Sequence, residues 1–280
     1  MKINRSIACH DNHDDGFTLT DLLAAIVTVG ILGLLLLPAL AGTKPNSQAL
    51  QCLENQRQLI RAWQMYSTDF NDLIAMSGGE GDTASLVTDG NINNGNWCHG
   101  RMDLDSTAAT DPQLVQRGSL FPFSKSVKIY KCPADTKSQL IGTVKTPTTR
   151  SVSMNCWMNP ITAWSTATGR IFKKQSDIYS PSPANCWVII DEAPGSINDA
   201  WFICDPFGAT TEWVDIPAAY HNGACGISFA DGHAQFKKWT DKAVLTYGVP
   251  NGPTGTMVPS QQAPSYADLK WLQAATTSHK

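Results

Sequence analysis

The stretch Gly16-Phe17-Thr18-Leu19-Thr20-Asp21 decides the fold, because an uninterrupted apolar run, residues 22–41, follows it directly. A helix rises ~1.5 Å per residue, so about 20 residues span ~30 Å, the thickness of the hydrocarbon core of a bilayer. The run carries no charge, and the hydroxyl of Thr28 can bond to a carbonyl of its own helix. The sequence therefore predicts a helix that crosses a membrane once, with Asp21 at its edge.

The position of Gly16 distinguishes this N-terminus from an ordinary secretory signal. Such a signal is cut after a short apolar core of about 7–15 residues. Here the small residue precedes a full-length core, so cleavage after Gly16 would leave the helix on the mature chain. An uncleaved single-pass anchor with the same topology is the alternative.

The same stretch resembles the N-terminus of type IV prepilins and type II secretion pseudopilins. The resemblance is carried by Gly16, Phe17, Thr18, Leu19, an acid at Asp21 and a late proline, Pro38. It implies removal of a leader, residues 1–16, by a prepilin peptidase and methylation of the new Phe17 amine. It also implies that the acid pairs with the N-terminal ammonium of a neighbouring subunit. Asp21 stands where the family has Glu, which shortens the reach by one methylene.

The composition limits the size and the functional class of the rest of the chain. Its 280 residues suffice for one sizeable domain beyond the anchor, and a net charge of −3 gives no indication of nucleic-acid binding. Seven of the eight cysteines follow Gly16, and none form a Cys-x-x-Cys pair, so a zinc ribbon is poorly supported. Outside the cytoplasm, where the predicted topology places them, disulfides persist. Because seven is odd, at least one thiol is free, modified or bonded to another chain.

The apolar run continues into an amphipathic segment, residues 42–72. Apolar side chains recur there at 3-, 4- and 7-residue separations, which indicates one buried helical face. We predict one long, bent helix from residue 17 to about residue 72, packed on a mostly antiparallel sheet domain, residues 73–248. A strap and a short helix, residues 249–280, complete an α+β fold of pilin-like architecture. Within the sheet, Asp231-Gly232 between two alternating segments predicts a β-hairpin.

The spacing of His221 and Asp231-Gly232 fits a His-x9-Asp-Gly motif. In this motif the chain resembles the prepilin-type processing-associated proteins, as it does in Cys132-Pro133-Ala134-Asp135 and in several other stretches across the mature chain. The resemblance implies a pseudopilin-like protein. It also makes Cys52 and Cys132 candidates for a disulfide, since both match positions where the family has Cys.

An oxygen-rich loop follows the predicted central strand, residues 186–190. It contains Asp191, Glu192, Asn198 and Asp199, and hard oxygen ligands in a loop suit Ca²⁺. The spacing is not that of an EF-hand, and carboxylates after a strand also cap backbone amides. Calcium is thus the one cofactor that the sequence suggests, with backbone capping as the alternative.

A second group of candidate ligands surrounds the hairpin. His221, Asp231 and His233 would form a metal or catalytic cluster if the hairpin tip lay near the loop before its first strand. The competing explanation is that Asp231 sets the turn and His221 bonds to nearby backbone. A metal-dependent hydrolase is the corresponding third functional class, although no hydrolase motif is present.

The sequence therefore predicts a pseudopilin-like subunit without enzymatic activity. It would be a single-pass inner-membrane protein with its soluble domain in the periplasm or outside the cell. Its predicted partners are the prepilin peptidase, like or related subunits, an inner-membrane assembly platform and the lipid bilayer. The alternative is a binding protein that uses the N-terminal segment only as an anchor and presents its sheet domain to glycans or exported proteins.

Overall fold

The computed structural model describes residues 18–41, 43–78, 95–103, 107–163, 168–208 and 210–280, with the side chains of residues 33–46 outside the description. The predicted leader and both residues of the predicted cleavage site, Gly16 and Phe17, lie outside the described residues. The chain forms two compact units, which divide between Asn46 and Ser47.

The first unit contains helix α1, Leu19–Ala41. Its start is fixed by a reciprocal pair of hydrogen bonds between Thr18 and Asp21. The Asp21 carboxylate accepts from the Thr18 backbone N–H at 3.0 Å, and the Asp21 N–H donates to the Thr18 hydroxyl at 3.3 Å. This is a capping box, which satisfies two of the backbone donors that a helix N-terminus leaves unpaired.

The predicted membrane-spanning helix is wrong. Among the helices of the described residues, none combines the length and the apolar character needed to cross a membrane. The predicted single-pass inner-membrane localisation depended on this helix and is therefore also wrong.

Helix α2, Thr43–Asp69, carries the predicted amphipathic pattern into the second unit. Leu59, Ile60 and Trp63 are fully buried in its core. The chain leaves the helix at Asn71 and Asp72, which have φ of 53° and 73°. Asn and Asp tolerate this left-handed conformation, which cannot continue a right-handed helix. Helix is assigned on both sides of residue 42, and the second segment ends at Asp69, where a helix to about residue 72 was predicted.

A five-stranded sheet forms the centre of the second unit, in the order β5-β3-β4-β7-β8. Only the β3–β5 pair is parallel. The fold is therefore α+β with a mostly antiparallel sheet. The strands of this sheet are β3 Val152–Asn155, β4 Trp187–Asp191, β5 Trp201–Phe202, β7 Ala224–Phe229 and β8 Ala234–Lys238.

Smaller elements surround this sheet. Two two-stranded sheets pair β1 Ser138–Ile141 with β2 Val144–Pro147, and β6 Glu212–Trp213 with β9 Val258–Pro259. The short helices are α3 Pro112–Gln116, α4 Phe121–Ser124, α5 Lys242–Tyr247 and α6 Ala267–Ala274. Single 3₁₀ turns occupy Thr107–Ala109, Val127–Tyr130 and Gln175–Asp177.

Strand β7 shows how the sheet separates two hydrophobic cores. Cys225, Ile227 and Phe229 belong to the core that also contains residues of α5 and α6. The intervening Gly226 lies against side chains of α2, whose buried face belongs to the other core. This alternation follows from the two-residue period of a strand. The predicted hairpin is confirmed, since β7 pairs with β8 and Gly232 has a φ of +96° in the turn.

Candidate functional site

Over residues 19–32, helix α1 exposes large apolar side chains all round its circumference. Val29 is 68% exposed and Ile26 is 60% exposed. The complete set of exposed large apolar residues in the described part of α1 is Leu19, Leu22, Leu23, Ile26, Val27, Val29, Ile31 and Leu32. Consecutive residues of a helix lie about 100° apart, so neighbours such as Leu22 and Leu23 point to different sides. A partner can therefore bury α1 from any direction.

Asp21, the predicted assembly residue, is fully exposed and takes part in the capping box. It also accepts a hydrogen bond from the Thr18 hydroxyl at 2.6 Å. The hydrogen bonds from Thr18 lower the pKa of the Asp21 carboxyl below its ordinary value. The carboxylate thus stays charged at the start of α1, where a negative charge also interacts favourably with the helix dipole.

The four predicted calcium ligands do not face a common point. Asp191 and Glu192 follow each other in an extended segment, so their side chains point to opposite faces. The Glu192 carboxylate accepts from the hydroxyls of Ser153 and Ser196 at 2.5 and 2.9 Å. Asn198 and Asp199 accept from backbone N–H groups of the same loop. In the structure these oxygens accept hydrogen bonds from hydroxyls and backbone amides. This arrangement corresponds to backbone capping, the alternative to calcium binding.

His221 lies at the opposite end of β7 from the other two residues of the predicted hairpin cluster. The six residues of β7 span about 20 Å between His221 and the turn. In the turn, Asp231 accepts from the backbone N–H of His233 at 3.1 Å and contacts its imidazole Nδ1 at 2.6 Å. The structure brings Asp231 and His233 together and leaves His221 apart from them, because a hairpin tip is remote from the loop that precedes its first strand.

His221 instead joins the two cysteines that were predicted as a disulfide. The thiols of Cys52 and Cys132 and a ring nitrogen of His221 all lie within 4.8 Å of one another. Cys132 Sγ is 3.2 Å from His221 Nε2. Both cysteines are buried free thiols, and His221 is half-buried. Within the described parts of the chain, no other group of three His, Cys, Asp or Glu side chains is close enough to hold one ion.

Three separate segments of the second unit position this Cys–Cys–His cluster. Cys52 is in α2, Cys132 follows the 3₁₀ turn Val127–Tyr130, and His221 precedes β7. The Cys132 backbone N–H donates to the Ser151 hydroxyl at 2.8 Å. The His221 N–H donates to the Ala224 carbonyl at 3.0 Å, which closes the turn into β7. The backbones that carry the ligand atoms are therefore held by hydrogen bonds of their own.

Asp191 extends the cluster at the end of β4. Its Oδ2 accepts from Cys52 Sγ at 2.9 Å and from the Gly226 N–H at 3.1 Å. Its Oδ1 is buried and makes no hydrogen bond to the described residues. A side chain at position 226 would collide with this arrangement, because a Cβ there would lie 2.9 Å from Asp191 Oδ2 and 3.2 Å from Cys52 Sγ.

Burial controls the electrostatics of the cluster. It raises the pKa of Asp191 to about 7, against the opposing effect of the Cys52 and Gly226 hydrogen bonds. The hydrogen bond with Cys132, together with burial, raises the pKa of the Cys52 thiol well above its ordinary value. Burial also lowers the pKa of His221. In each case the buried site disfavours an isolated charge, as expected where water is excluded.

Sequence reasoning missed this cluster, although it singled out all three members. His221 was assigned to the hairpin and the two cysteines to a disulfide. The members are separated by 80 and 89 residues along the chain, so no local spacing marks them as one site. The one available signal was that Cys52, Cys132 and His221 all match the same family. That resemblance did not indicate that the three side chains lie close together.

Comparison with known proteins adds no family assignment. No family model matches the chain, and no curated protein or solved structure is significantly similar to it.

Proposed function

We propose that this chain is a pseudopilin-like subunit that assembles with copies of itself through α1. The observation that carries the proposal is the apolar surface of α1, in which every large apolar side chain of residues 19–32 is exposed. Burial of one such side chain contributes about 1.5–3 kcal/mol, so a helix of this kind gains most by association. Contiguous exposed apolar surface of this extent is typical of an interaction site.

A second copy of α1 is the partner that best matches this surface. Residues 22–32 contain no charged side chain, so a partner must bring an apolar surface without unpaired charges. Another α1 does so at every position, and helices of this type pack by interdigitating their side chains at 8–10 Å separation. The capping box at Thr18 and Asp21 fixes where the packed helix begins.

The proposal includes cleavage between Gly16 and Phe17, which would make Phe17 the new N-terminal residue. Mass spectrometry of the N-terminus of the native protein tests this part. A mature start at Phe17 supports the pseudopilin-like pathway, and a start at Met1 contradicts it.

Assembly itself is tested by a charge placed on α1 and an equal charge placed elsewhere. Val29→Asp puts a carboxylate on a side chain that is 68% exposed in α1, and Val144→Asp does so at 63% exposure in β2. Sedimentation velocity of the full chain should show oligomers for the wild type and for Val144→Asp, and monomers for Val29→Asp. Equal sedimentation of all three proteins would contradict the proposal.

One observation favours the alternative of a binding protein. A cleft of about 720 Å³ is lined by Tyr66, Phe70, Phe123 and Arg117. The rings of Tyr66 and Phe70 stack with centroids 4.3 Å apart, and Phe70 is 47% exposed. An exposed ring beside an arginine is suited to the apolar face and hydroxyls of a sugar. Glycan-array binding that is lost in Phe70→Ala would support this function, and an absence of any glycan ligand would argue against it.

A further inference from the structure

We propose that Cys52, Cys132 and His221 bind one zinc ion as a bis-thiolate, mono-imidazole site beside the buried carboxylate of Asp191. The proposal is independent of assembly through α1, since all four residues belong to the second unit.

The separations of the three ligand atoms suit a tetrahedral zinc site. With Zn–S bonds of about 2.3 Å and a Zn–N bond of about 2.0–2.1 Å, tetrahedral ligands lie roughly 3.5–3.8 Å apart. The two Sγ atoms and the His221 nitrogen lie within 4.8 Å of one another, and the Cys132–His221 pair is at 3.2 Å. Small side-chain rotations thus suffice for a common centre, because the backbones already converge.

The chemistry of the donors favours zinc over harder cations. Thiolate and imidazole are the ligands that zinc prefers, whereas Ca²⁺ and Mg²⁺ take oxygen. Binding forms two Zn–S bonds and one Zn–N bond, and the two thiols release their protons to solvent. No atom changes oxidation state. The charges of Zn²⁺ and two thiolates cancel, so the buried site gains no net charge from these ligands.

The surroundings of the cluster provide a second, independent indication of a cation. Asp191 is 1% exposed, and its Oδ1 makes no hydrogen bond to the described residues. None of the ion pairs formed among those residues includes this carboxylate. This buried carboxylate accepts from the Cys52 thiol and the Gly226 N–H, so it lies directly beside a proposed ligand.

A path for the ion exists at Cys132. A cleft of about 410 Å³ is lined by Cys132 together with Lys131, Asp135 and Thr148. Lys131 is neutralised by an ion pair with Asp135 at 3.3 Å. The cleft therefore leads from solvent to one of the proposed ligands.

A disulfide between Cys52 and Cys132 is the competing outcome. It would leave His221 without a role toward the sulfur atoms, whereas a zinc ion engages His221 together with both of them. The two states exclude each other, because a disulfide sulfur is no longer a thiolate ligand.

The test is a titration of the full, reduced and chelator-treated chain with Co²⁺, followed by displacement with Zn²⁺. We expect one equivalent of Co²⁺ to produce a thiolate-to-cobalt charge-transfer band and the visible bands of a tetrahedral site, both removed by Zn²⁺. Cys132→Ser should weaken zinc binding at least tenfold, a loss on the scale seen even for outer-shell partners. The matched control is Cys98→Ser, since Cys98 is also fully buried but lies outside the cluster. Equal binding by Cys132→Ser, Cys98→Ser and wild type would overturn the proposal, as would the lack of a thiolate–cobalt band.

A second measurement needs no variant and so does not depend on the folding of one. Alkylation of Cys132 in the native wild-type chain should slow at least tenfold when zinc is added and recover when a chelator is added. Unchanged alkylation would overturn the proposal. So would peptide mapping that shows a Cys52–Cys132 disulfide in the chain as isolated from its native source.

Discussion

At Gly226 strand β7 packs against Asp191 and Cys52, and Gly226→Ala tests that packing directly. A Cβ there would lie 2.9 Å from Asp191 Oδ2, 2.9 Å from the Gln56 side chain and 3.2 Å from Cys52 Sγ. All three contacts are shorter than ordinary van der Waals separations. The neighbours are buried, so the methyl group must displace at least one of them.

The cost follows from known overpacking effects. Extra methyl groups in a well-packed core destabilise proteins by typically 1–3 kcal/mol. For a domain of 150–250 residues, each kcal/mol lowers the melting temperature by about 2–4 °C. We therefore expect Gly226→Ala to lower the melting temperature by roughly 2–12 °C, measured by circular dichroism in the presence of a chelator.

Gly255→Ala is the matched control. The nearest atom to a Cβ at this position is 3.4 Å away, in the ring of Tyr247. Neither glycine has a positive φ, so the two substitutions differ in contact and not in backbone strain. We expect Gly255→Ala to melt within about 2 °C of wild type. If Gly226→Ala were as stable as Gly255→Ala, the described packing of Asp191 and Cys52 against β7 would be refuted.

Two further predictions concern buried polar residues away from the cluster. Burial, followed by the charges of Arg117 and Arg150, lowers the pKa of His99 to about 4, against 6.5 in the unfolded chain. As pH falls, the His99 side chain is therefore protonated in the unfolded chain before it is protonated in the folded one. This difference lowers the free energy of unfolding by about 3 kcal/mol between pH 6.5 and 4. Denaturant melts should show a flatter pH dependence over that interval in His99→Gln, and an unchanged slope would contradict the assigned pKa. The side-chain amide of buried Asn155 forms hydrogen bonds with three backbone groups. We therefore expect Asn155→Leu to lower the free energy of unfolding by about 3 kcal/mol or more. The control is Asn185→Leu at an exposed position, which should change the free energy of unfolding by less than about 0.5 kcal/mol. Equal stability of the two asparagine variants would contradict the hydrogen bonds of Asn155.

Local sequence patterns were sufficient to predict the elements that depend on neighbouring residues alone. The 3-, 4- and 7-residue spacing predicted the buried face of α2, with Leu59, Ile60 and Trp63 at its centre. Asp231-Gly232 predicted the β7–β8 turn because few other dipeptides adopt its backbone angles. The Thr-x-x-Asp spacing of Thr18 and Asp21 is also typical of a capping box. From the sequence, these residues were assigned only to the prepilin-like motif.

The candidate site depended on tertiary structure, which no local pattern encodes. The hydrogen bond between Cys132 and His221 joins residues 89 positions apart. The opposite orientation of Asp191 and Glu192 follows from strand geometry and could have been anticipated, whereas the approach of Asp191 to Cys52, 139 positions away, could not. The apolar run predicted a membrane-spanning helix, which is wrong, because no helix of the described residues is long and apolar enough to cross a membrane.

Disulfide cross-linking between copies of α1 tests the central claim of assembly most directly. Single cysteines would be introduced in turn at Ile26, Val27, Val29 and Ile31 of the full chain with Cys9→Ser, since the seven other native cysteines are buried. Assembly through packed α1 helices predicts covalent dimers on mild oxidation, with a yield that varies from position to position as each one faces or leaves the neighbouring helix. A cysteine at exposed Val144 in β2 should give none. The claim would be contradicted if the α1 cysteines formed no dimers, or formed them no more readily than the cysteine at Val144.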